Sequence, residues 1–294
     1  MIYRDFGTTG LRVSVLGYGA GQLGAATFSD VDAGRLLNEV VDRGITLIDT
    51  ARGYGMSEER IGKHLKHRRH EIVLSTKVGY DIPGYTDWTY DCVHAGIDEA
   101  LRRLQTDVLD IVHLHSCPRT TLKEGSSVRA LEEAVRAGKV RVAAYSGENE
   151  ALDWAVDSGR FESVEHSLNI CDQRVIDGAL TRSLARGLGV ISKRPVANAP
   201  WRYAECPKGE YAEEYWWRWN TMKLDRRDLS WQELALRFTA FTPGVSSCIV
   251  GTTQLNHVLQ NCSFLEAGPL AEDHRHAIRH AFRTNDPGWW VGQI

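Results

Sequence analysis

The 294-residue chain has no apolar run long enough to cross a bilayer. Its first residues, Met1-Ile2-Tyr3-Arg4-Asp5-Phe6, turn polar before an apolar leader can form. Neither membrane insertion nor export is expected. It also lacks any Cys-x-x-Cys: its six cysteines (Cys92, Cys117, Cys171, Cys206, Cys248, Cys262) are scattered. That excludes a paired-thiol zinc or redox motif and fits reduced thiols in a cytoplasm. There is no excess of positive charge either, because 35 Lys and Arg face 38 Asp and Glu for a net charge of −3. Nucleic acid and anionic membranes need a basic field, so a small-molecule partner is expected. Nothing in the sequence encodes an oligomeric state.

What the chain does have is apolar area and rhythm. Hydrophobic residues make up 43%, enough for a substantial core, and one domain over 1–294 is expected. Short β-branched or Leu-rich runs near 13–18, 45–49, 71–77, 108–114, 140–145, 162–168, 189–193 and 246–250 predict eight strands. Between them lie amphipathic segments, clearest at 89–105, where Val93, Ile97, Leu101 and Leu104 recur at helical spacing. Gly44, Gly138, Gly159 and Gly187 each stand between a helical segment and the next apolar run, where a helix end favours a left-handed residue. Repeated strand-helix units, with strands apolar on consecutive residues, imply a buried parallel sheet.

Two regions break the rhythm. Residues 194–229 are too long for a plain connection and carry Trp201, Tyr203, Tyr211, Tyr215, Trp216, Trp217 and Trp219. Segment 271–284 reads as a terminal helix. In an eight-stranded barrel such an insertion belongs at the strand carboxyl ends, as a lid or substrate wall, or else packs its aromatics against the barrel.

Gly19-Ala20-Gly21-Gln22-Leu23-Gly24 spells a dinucleotide-binding pattern after a strand. In that motif a helix opens directly on the glycines. Here Ala25-Ala26-Thr27-Phe28 intervenes before the expected cap at Ser29-Asp30, so a tight loop at a barrel mouth fits better. The stronger signal is Gly44-Ile45-Thr46-Leu47-Ile48-Asp49-Thr50-Ala51-Arg52-Gly53-Tyr54, ending a strand before a helix that Ser57 is expected to cap. Leu74-Ser75-Thr76-Lys77 and Asp110-Ile111-Val112-His113-Leu114-His115 close two further strands. With the amino-terminal Phe6-Gly7-Thr8-Thr9-Gly10-Leu11, these segments make the sequence resemble the aldo-keto reductases over almost its whole length.

The resemblance implies a (β/α)8 TIM barrel with a short N-terminal hairpin, the aromatic-rich insertion after strand 7 and an extra C-terminal helix. It also implies nicotinamide-dependent reduction of an aldehyde, ketone or sugar carbonyl, or the reverse oxidation. The residue types suit that chemistry, since reduction by hydride leaves an alkoxide that needs a proton. Tyr54 is the expected donor, Lys77 is expected to lower its pKa, Asp49 to hold the lysine, and His115 to orient the carbonyl oxygen. A regulatory or sensor protein on the same barrel is the alternative.

For the cofactor, the resemblance implies Ser146, Glu165 and Asn169 near the carboxamide, with Glu165 standing where the family commonly has Gln. Lys193 takes the place of a stacking aromatic; either its stem covers the nicotinamide or a ring from the insertion does. Arg194 reaches a phosphate or makes an ion pair. Gly251 and Thr252 lead to a helix start suited to phosphate, followed by His257, Gln260 and Asn261 at the adenosine. The resemblance implies NADPH, but His257 replaces an Arg that pairs with a 2′-phosphate in many relatives, which makes NADH possible. No metal is expected: His113 contacts substrate or packs in the barrel, and His274, His276 and His280 lie on a solvated helix face.

Overall fold

A computed structural model describes residues 1–293. The chain begins with a hairpin of β1 (Tyr3–Asp5) and β2 (Arg12–Ser14), paired antiparallel. Then β3 (Leu16–Gly19) leads through a short 3-10 turn to α1 (Asp30–Asp42), which Ser29 caps by accepting from the Asp32 amide. The run expected as one strand over 13–18 is therefore divided. The break has a physical cause: Ser14 and Thr46 exchange two 2.9 Å bonds, each hydroxyl accepting from the other's backbone N–H, in place of ladder bonds.

Five strand-helix units follow. They are β4 (Leu47–Asp49) with α2 (Ser57–Leu65), β5 (Val73–Val78) with α3 (Tyr90–Leu104), and β6 (Leu109–His115) with α4 (Arg119–Glu124) and α5 (Ser126–Arg136). Then come β7 (Val140–Ser146) with α6 (Asn149–Ser158) and β8 (Ser163–Ser167) with α7 (Ala179–Ala185). After β9 (Gly189–Lys193) the expected insertion contains α8 (Glu213–Met222), and α9 (Trp231–Ala240) returns the chain to β10 (Ser247–Val250). The chain closes with α10 (Leu255–Glu266) and α11 (Glu272–Asn285). Gly44, Gly138, Gly159 and Gly187 all have positive φ, as the helix stops required.

The eight strands β3 to β10 pair in parallel in sequence order, and β10 pairs with β3 to close a barrel. A closed barrel excludes the dinucleotide-binding fold that the glycine pattern mimics. Phe6, Leu11 and Val13 of the hairpin region pack with Leu47, Val73, Ile111, Val142, Ala144, Ile191 and Ile249 in one apolar cluster. That cluster plugs the strands' amino-terminal end and leaves polar side chains for the other end. No helix among the described residues is long and apolar enough to cross a membrane, and all six cysteines are free.

The aromatic insertion divides by role. Tyr215 is fully buried and its hydroxyl donates to Asp172 at 3.1 Å. Arg218, equally buried, donates to the Cys171 carbonyl at 3.3 Å and the Val291 carbonyl at 2.9 Å, tying the insertion to the loop after β8 and to the carboxyl-terminal tail. Trp201 and Trp219 pack on Trp231. The histidines of α11 are not alike: His276 and His280 are exposed, but His274 is buried, its ring 2.8 Å from the Asp225 carbonyl. A carbonyl left without a helical partner captures that ring, which helical spacing alone does not reveal.

Candidate active site

Three strand ends and one loop bring the polar residues together. Asp49 ends β4, Lys77 lies one residue before the end of β5, His115 ends β6, and Tyr54 stands in the loop after Asp49. Lys77 and Asp49 are each 1% exposed, with Nζ 2.5 Å from Asp49 Oδ2. The ammonium also donates to the Thr50 carbonyl at 3.0 Å, and Ser75 donates to Asp49 Oδ1 at 2.8 Å. Lys77 Nζ lies 5.3 Å from the centre of the Tyr54 ring, and the rings of Tyr54 and His115 meet edge to face at 6.3 Å.

A second carboxylate shares the ammonium: Glu165 Oε1 is 3.6 Å from Lys77 Nζ and accepts from Ser146 Oγ at 3.0 Å. Glu165 Oε2 is buried with no hydrogen-bond partner. Asp49, His113 and Glu165 place donor atoms within 4.8 Å of one another, as a metal would need. Lys77 supplies the positive charge in that cluster instead.

Burial and the neighbouring Glu165 push Asp49 up to about 7. Burial also acts to raise Glu165, but Lys77, His113 and Lys193 outweigh it and hold it low. The two carboxyls thus titrate as one pair around a single ammonium. Lys77 moves up because Asp49, Glu165 and Tyr54 outweigh its burial, so it remains charged. Tyr54 departs from expectation. Lys77 is the largest influence and lowers its pKa, yet burial with Asp49 and Glu165 outweighs it, and the phenol is raised in the free protein. Burial keeps both barrel histidines neutral, with His113 lowered to about 4 and His115 to about 3. His113 is fully buried 3.1 Å from Ser75 Oγ, which makes it a packed barrel residue.

The glycine-rich loop supports this mouth. Tyr54 faces Gly21, and a Cβ on Gly24 would fall 1.6 Å from the Tyr54 carbonyl oxygen. Ser57 does not cap α2; it is buried, donates to the Ala20 carbonyl at 2.9 Å and accepts from Thr50 at 2.8 Å, which locks the Tyr54 loop between two strand ends. Gly24→Ala is expected to cost about 1–3 kcal/mol or more of stability, because backbone must move. Thermal melting checks this, and an unchanged melting temperature would mean that the loop yields freely.

A cleft of about 440 Å³ runs from Asp49, Tyr54, Gly19 and Gly21 past Gly251 to Lys193, Arg194 and Arg202, with Tyr203 and Tyr211 on its rim. Lys193 pairs with the buried Glu148 at 3.2 Å. Arg194 donates to the Gln293 carbonyl and lies over the Tyr211 ring. Asn169 donates to the Arg194 carbonyl at 3.0 Å and accepts from the Cys171 amide at 2.8 Å, which fixes the start of the cleft wall. Ser146, Glu165, Asn169, Thr252, His257, Gln260 and Asn261 do not line this cleft. His257 and Gln260 are exposed on α10, His257 Nδ1 is 3.1 Å from Thr252 Oγ1, and Asn261 is buried, accepting from Gln232 at 2.7 Å.

Sequence reasoning overlooked Tyr80, whose hydroxyl lies 2.7 Å from His115 Nδ1, and Trp88, which donates to the His115 carbonyl at 3.3 Å. It also gave no role to Glu148 or Arg202. The available signal for Tyr80 was its place in the loop just past β5, the strand that carries Lys77 next to its end.

Comparisons with known proteins identify the family of the chain. The model of the Aldo/keto reductase family matches residues 15–282. An L-galactose dehydrogenase of Arabidopsis thaliana is 29% identical over 279 residues, covering 88% of this chain and 86% of that protein. A probable voltage-gated potassium channel subunit beta of Oryza sativa is 26% identical, covering 92% and 93% of the two chains. Among solved structures, the holo form of an aldo-keto reductase from Bacillus halodurans superposes with a TM-score of 0.82 at 29% identity, covering 96% of both chains.

Proposed function

We propose, on the premise that this chain belongs to the aldo/keto reductase family and is an NAD(P)H-dependent oxidoreductase, that it interconverts a carbonyl and an alcohol on a hydroxylated substrate with Tyr54 as the proton carrier. The observation that carries the reading is the buried Lys77–Asp49 pair set 5.3 Å under the Tyr54 ring at the mouth of the barrel.

A bound nicotinamide supplies the hydride for the carbonyl carbon. The cleft suits the cofactor: the wall cations Lys193, Arg194 and Arg202 suit phosphates, and backbone alone faces it at Gly19 and Gly251. Ser146 and Glu165 are buried behind the cleft lining, against Lys77; there the free Glu165 Oε2 would accept an amide N–H, and Asn169 holds the Arg194 loop. Gly251, Thr252, His257, Gln260 and Asn261 are assigned to the adenosine side. NADPH is the assigned cofactor because the family generally uses it; with His257 in place of a guanidinium, NADH is the alternative.

Tyr54 gives its hydroxyl proton to the oxygen that the arriving hydride turns into an alkoxide. Lys77 stays an ammonium and steadies the phenolate left behind, while Asp49 and Ser75 fix the lysine. His115 is neutral, so it acts as a hydrogen-bond donor to the carbonyl oxygen without delivering charge. For that, its proton must sit on Nε2. Burial raises the Tyr80 phenol to about 12, so its hydroxyl keeps a proton to donate to Nδ1, which selects the needed tautomer.

Tyr80→Phe is accordingly expected to lower kcat about tenfold, the equivalent of one hydrogen bond of about 1.4 kcal/mol, with cofactor affinity unchanged. Steady-state kinetics and cofactor titration check it; equal kcat in the two proteins would remove Tyr80 from this role.

The polar cleft lining of Gln22, Asn198, Arg202 and Glu210, with Tyr203 and Tyr211, favours a sugar or polyol over an apolar carbonyl. The similarity to a protein named L-galactose dehydrogenase points the same way. The test is consumption of NADPH and NADH over a panel of aldoses, ketones and aldehydes, with formation of the reduced cofactors from the matching alcohols. Turnover concentrated on hydroxylated substrates is expected. Cofactor binding with no turnover on any panel member would instead support a sensor.

A further inference from the structure

The inner end of the site carries more negative than positive charge. Asp49 from β4 and Glu165 from β8 lie against one ammonium, Lys77 from β5. His113 and His115 from β6 are kept neutral by burial, and Lys193 from β9 is 3.2 Å from Glu148, in the loop after β7. Tyr54 and Tyr80, from the loops after β4 and β5, are both raised and therefore uncharged at neutral pH. With both carboxyls ionised, this group has an unbalanced negative charge. One of its oxygens, Glu165 Oε2, is buried with no hydrogen-bond partner, and the neutral His113 ring has Nε2 3.9 Å from it. A charged atom in that condition draws in either a proton or a cation.

The two states of a nicotinamide differ in this respect: the oxidised ring is a pyridinium cation, and the reduced ring is neutral. Hydride exchange at a carbon whose oxygen is held by Tyr54 and His115 would require the ring to lie within a few ångströms of that carbon, hence near this excess charge. We propose that Glu165 is a specificity-determining residue that makes the site favour the oxidised, cationic form of its cofactor and so favours alcohol oxidation, with ring binding expelling the proton that Asp49 takes up beside Glu165. The inference rests on the function proposed above.

The linkage has a definite sign. A cation beside the pair lowers the pair's proton affinity, so affinity for the oxidised form increases as pH rises through the titration of Asp49, which burial and Glu165 place at about 7. The neutral reduced ring leaves the pair alone. Lys77 stays charged and both phenols stay neutral over that range, so the pair is the titrating group.

The experiment is fluorescence titration of the intact protein and Glu165→Gln with NADP+, NADPH, NAD+ and NADH from about pH 6 to 8, the range centred on that titration. For each cofactor, the ratio of oxidised to reduced dissociation constants cancels the phosphates' own titration. Glu165→Gln, which keeps size and removes charge, is expected to shift the ratio toward the reduced form by about 10- to 100-fold and to flatten its pH dependence. Calorimetry of the unaltered protein in buffers of different ionisation heat needs no variant, and is expected to show proton release with the oxidised form alone. Tight binding of both forms with an unchanged ratio, or without differential proton release, would overturn this inference and leave the proposed function standing. No binding of either form by the unaltered protein would overturn both.

Discussion

Tyr54→Phe is expected to lower turnover in both directions by about 10²- to 10⁴-fold, the usual contribution of a positioned acid or base, without changing cofactor affinity. The substitution keeps the ring that packs near Gly21 and His115 and removes only the hydroxyl. Stability and binding therefore have little reason to change, and the loss falls on the chemical step. The result separates this residue from a rim aromatic, whose truncation would weaken binding and leave kcat alone. Steady-state rates in both directions, with a fluorescence titration of the cofactor, are sufficient. Comparable kcat in the two proteins would remove Tyr54 from proton transfer.

Lys77→Met has the largest expected effect on the fold itself. It leaves Asp49 and Glu165 facing each other, both 1% exposed, with no cation between them. Breaking a buried pair in this way costs about 3–5 kcal/mol, which for a domain of this size lowers Tm by about 10 °C. The pH dependence carries a sign. Without the ammonium, burial raises both carboxyls above their unfolded values near pH 4, so the folded variant binds more protons than the unfolded chain. Its stability is then greatest below that pH region and falls as pH rises through the raised values. Melting curves are expected to show a smaller deficit at about pH 5 than at about pH 8, and removing one charge with Asp49→Asn in the same chain is expected to restore part of the loss. A deficit independent of pH would mean that lost packing, and not stranded charge, is responsible.

The barrel was legible because its signals are local and repeated. Apolar runs marked the eight strands to within a few residues, and the four glycine stops lie where the backbone turns left-handed. The one strand misread, 13–18, is broken by the Ser14–Thr46 exchange, a contact between residues 32 apart that no periodicity encodes. At the site, Asp49, Tyr54, Lys77 and His115 were readable because each stands at or just past a strand end, and the barrel gathers those ends.

What escaped notice depends on pairing across the barrel. Tyr80 acquires meaning only when β5 and β6 lie side by side and bring its hydroxyl to His115. Glu165 was placed by position, but that it shares Lys77 with Asp49 and thereby reverses the expected shift at Tyr54 is a property of three strands together. The cleft wall is a further case. Arg194, Ala197, Asn198 and Ala199 all adopt positive φ without a glycine among them. Asn169 and Thr239, from other elements, hold that conformation through the Arg194 and Pro195 carbonyls.

The central claim is that hydride and proton meet at Tyr54 in this barrel mouth. It is tested most directly by supplying NADPH or NADH deuterated on the nicotinamide C4 together with aldoses, ketones and aldehydes, and weighing the alcohols formed. Deuterium on the carbinol carbon of the product from the unaltered protein, and its near absence from the Tyr54→Phe reaction, is the expected result. Equal deuterium incorporation by both proteins, or none by the unaltered protein from any carbonyl, would contradict the claim.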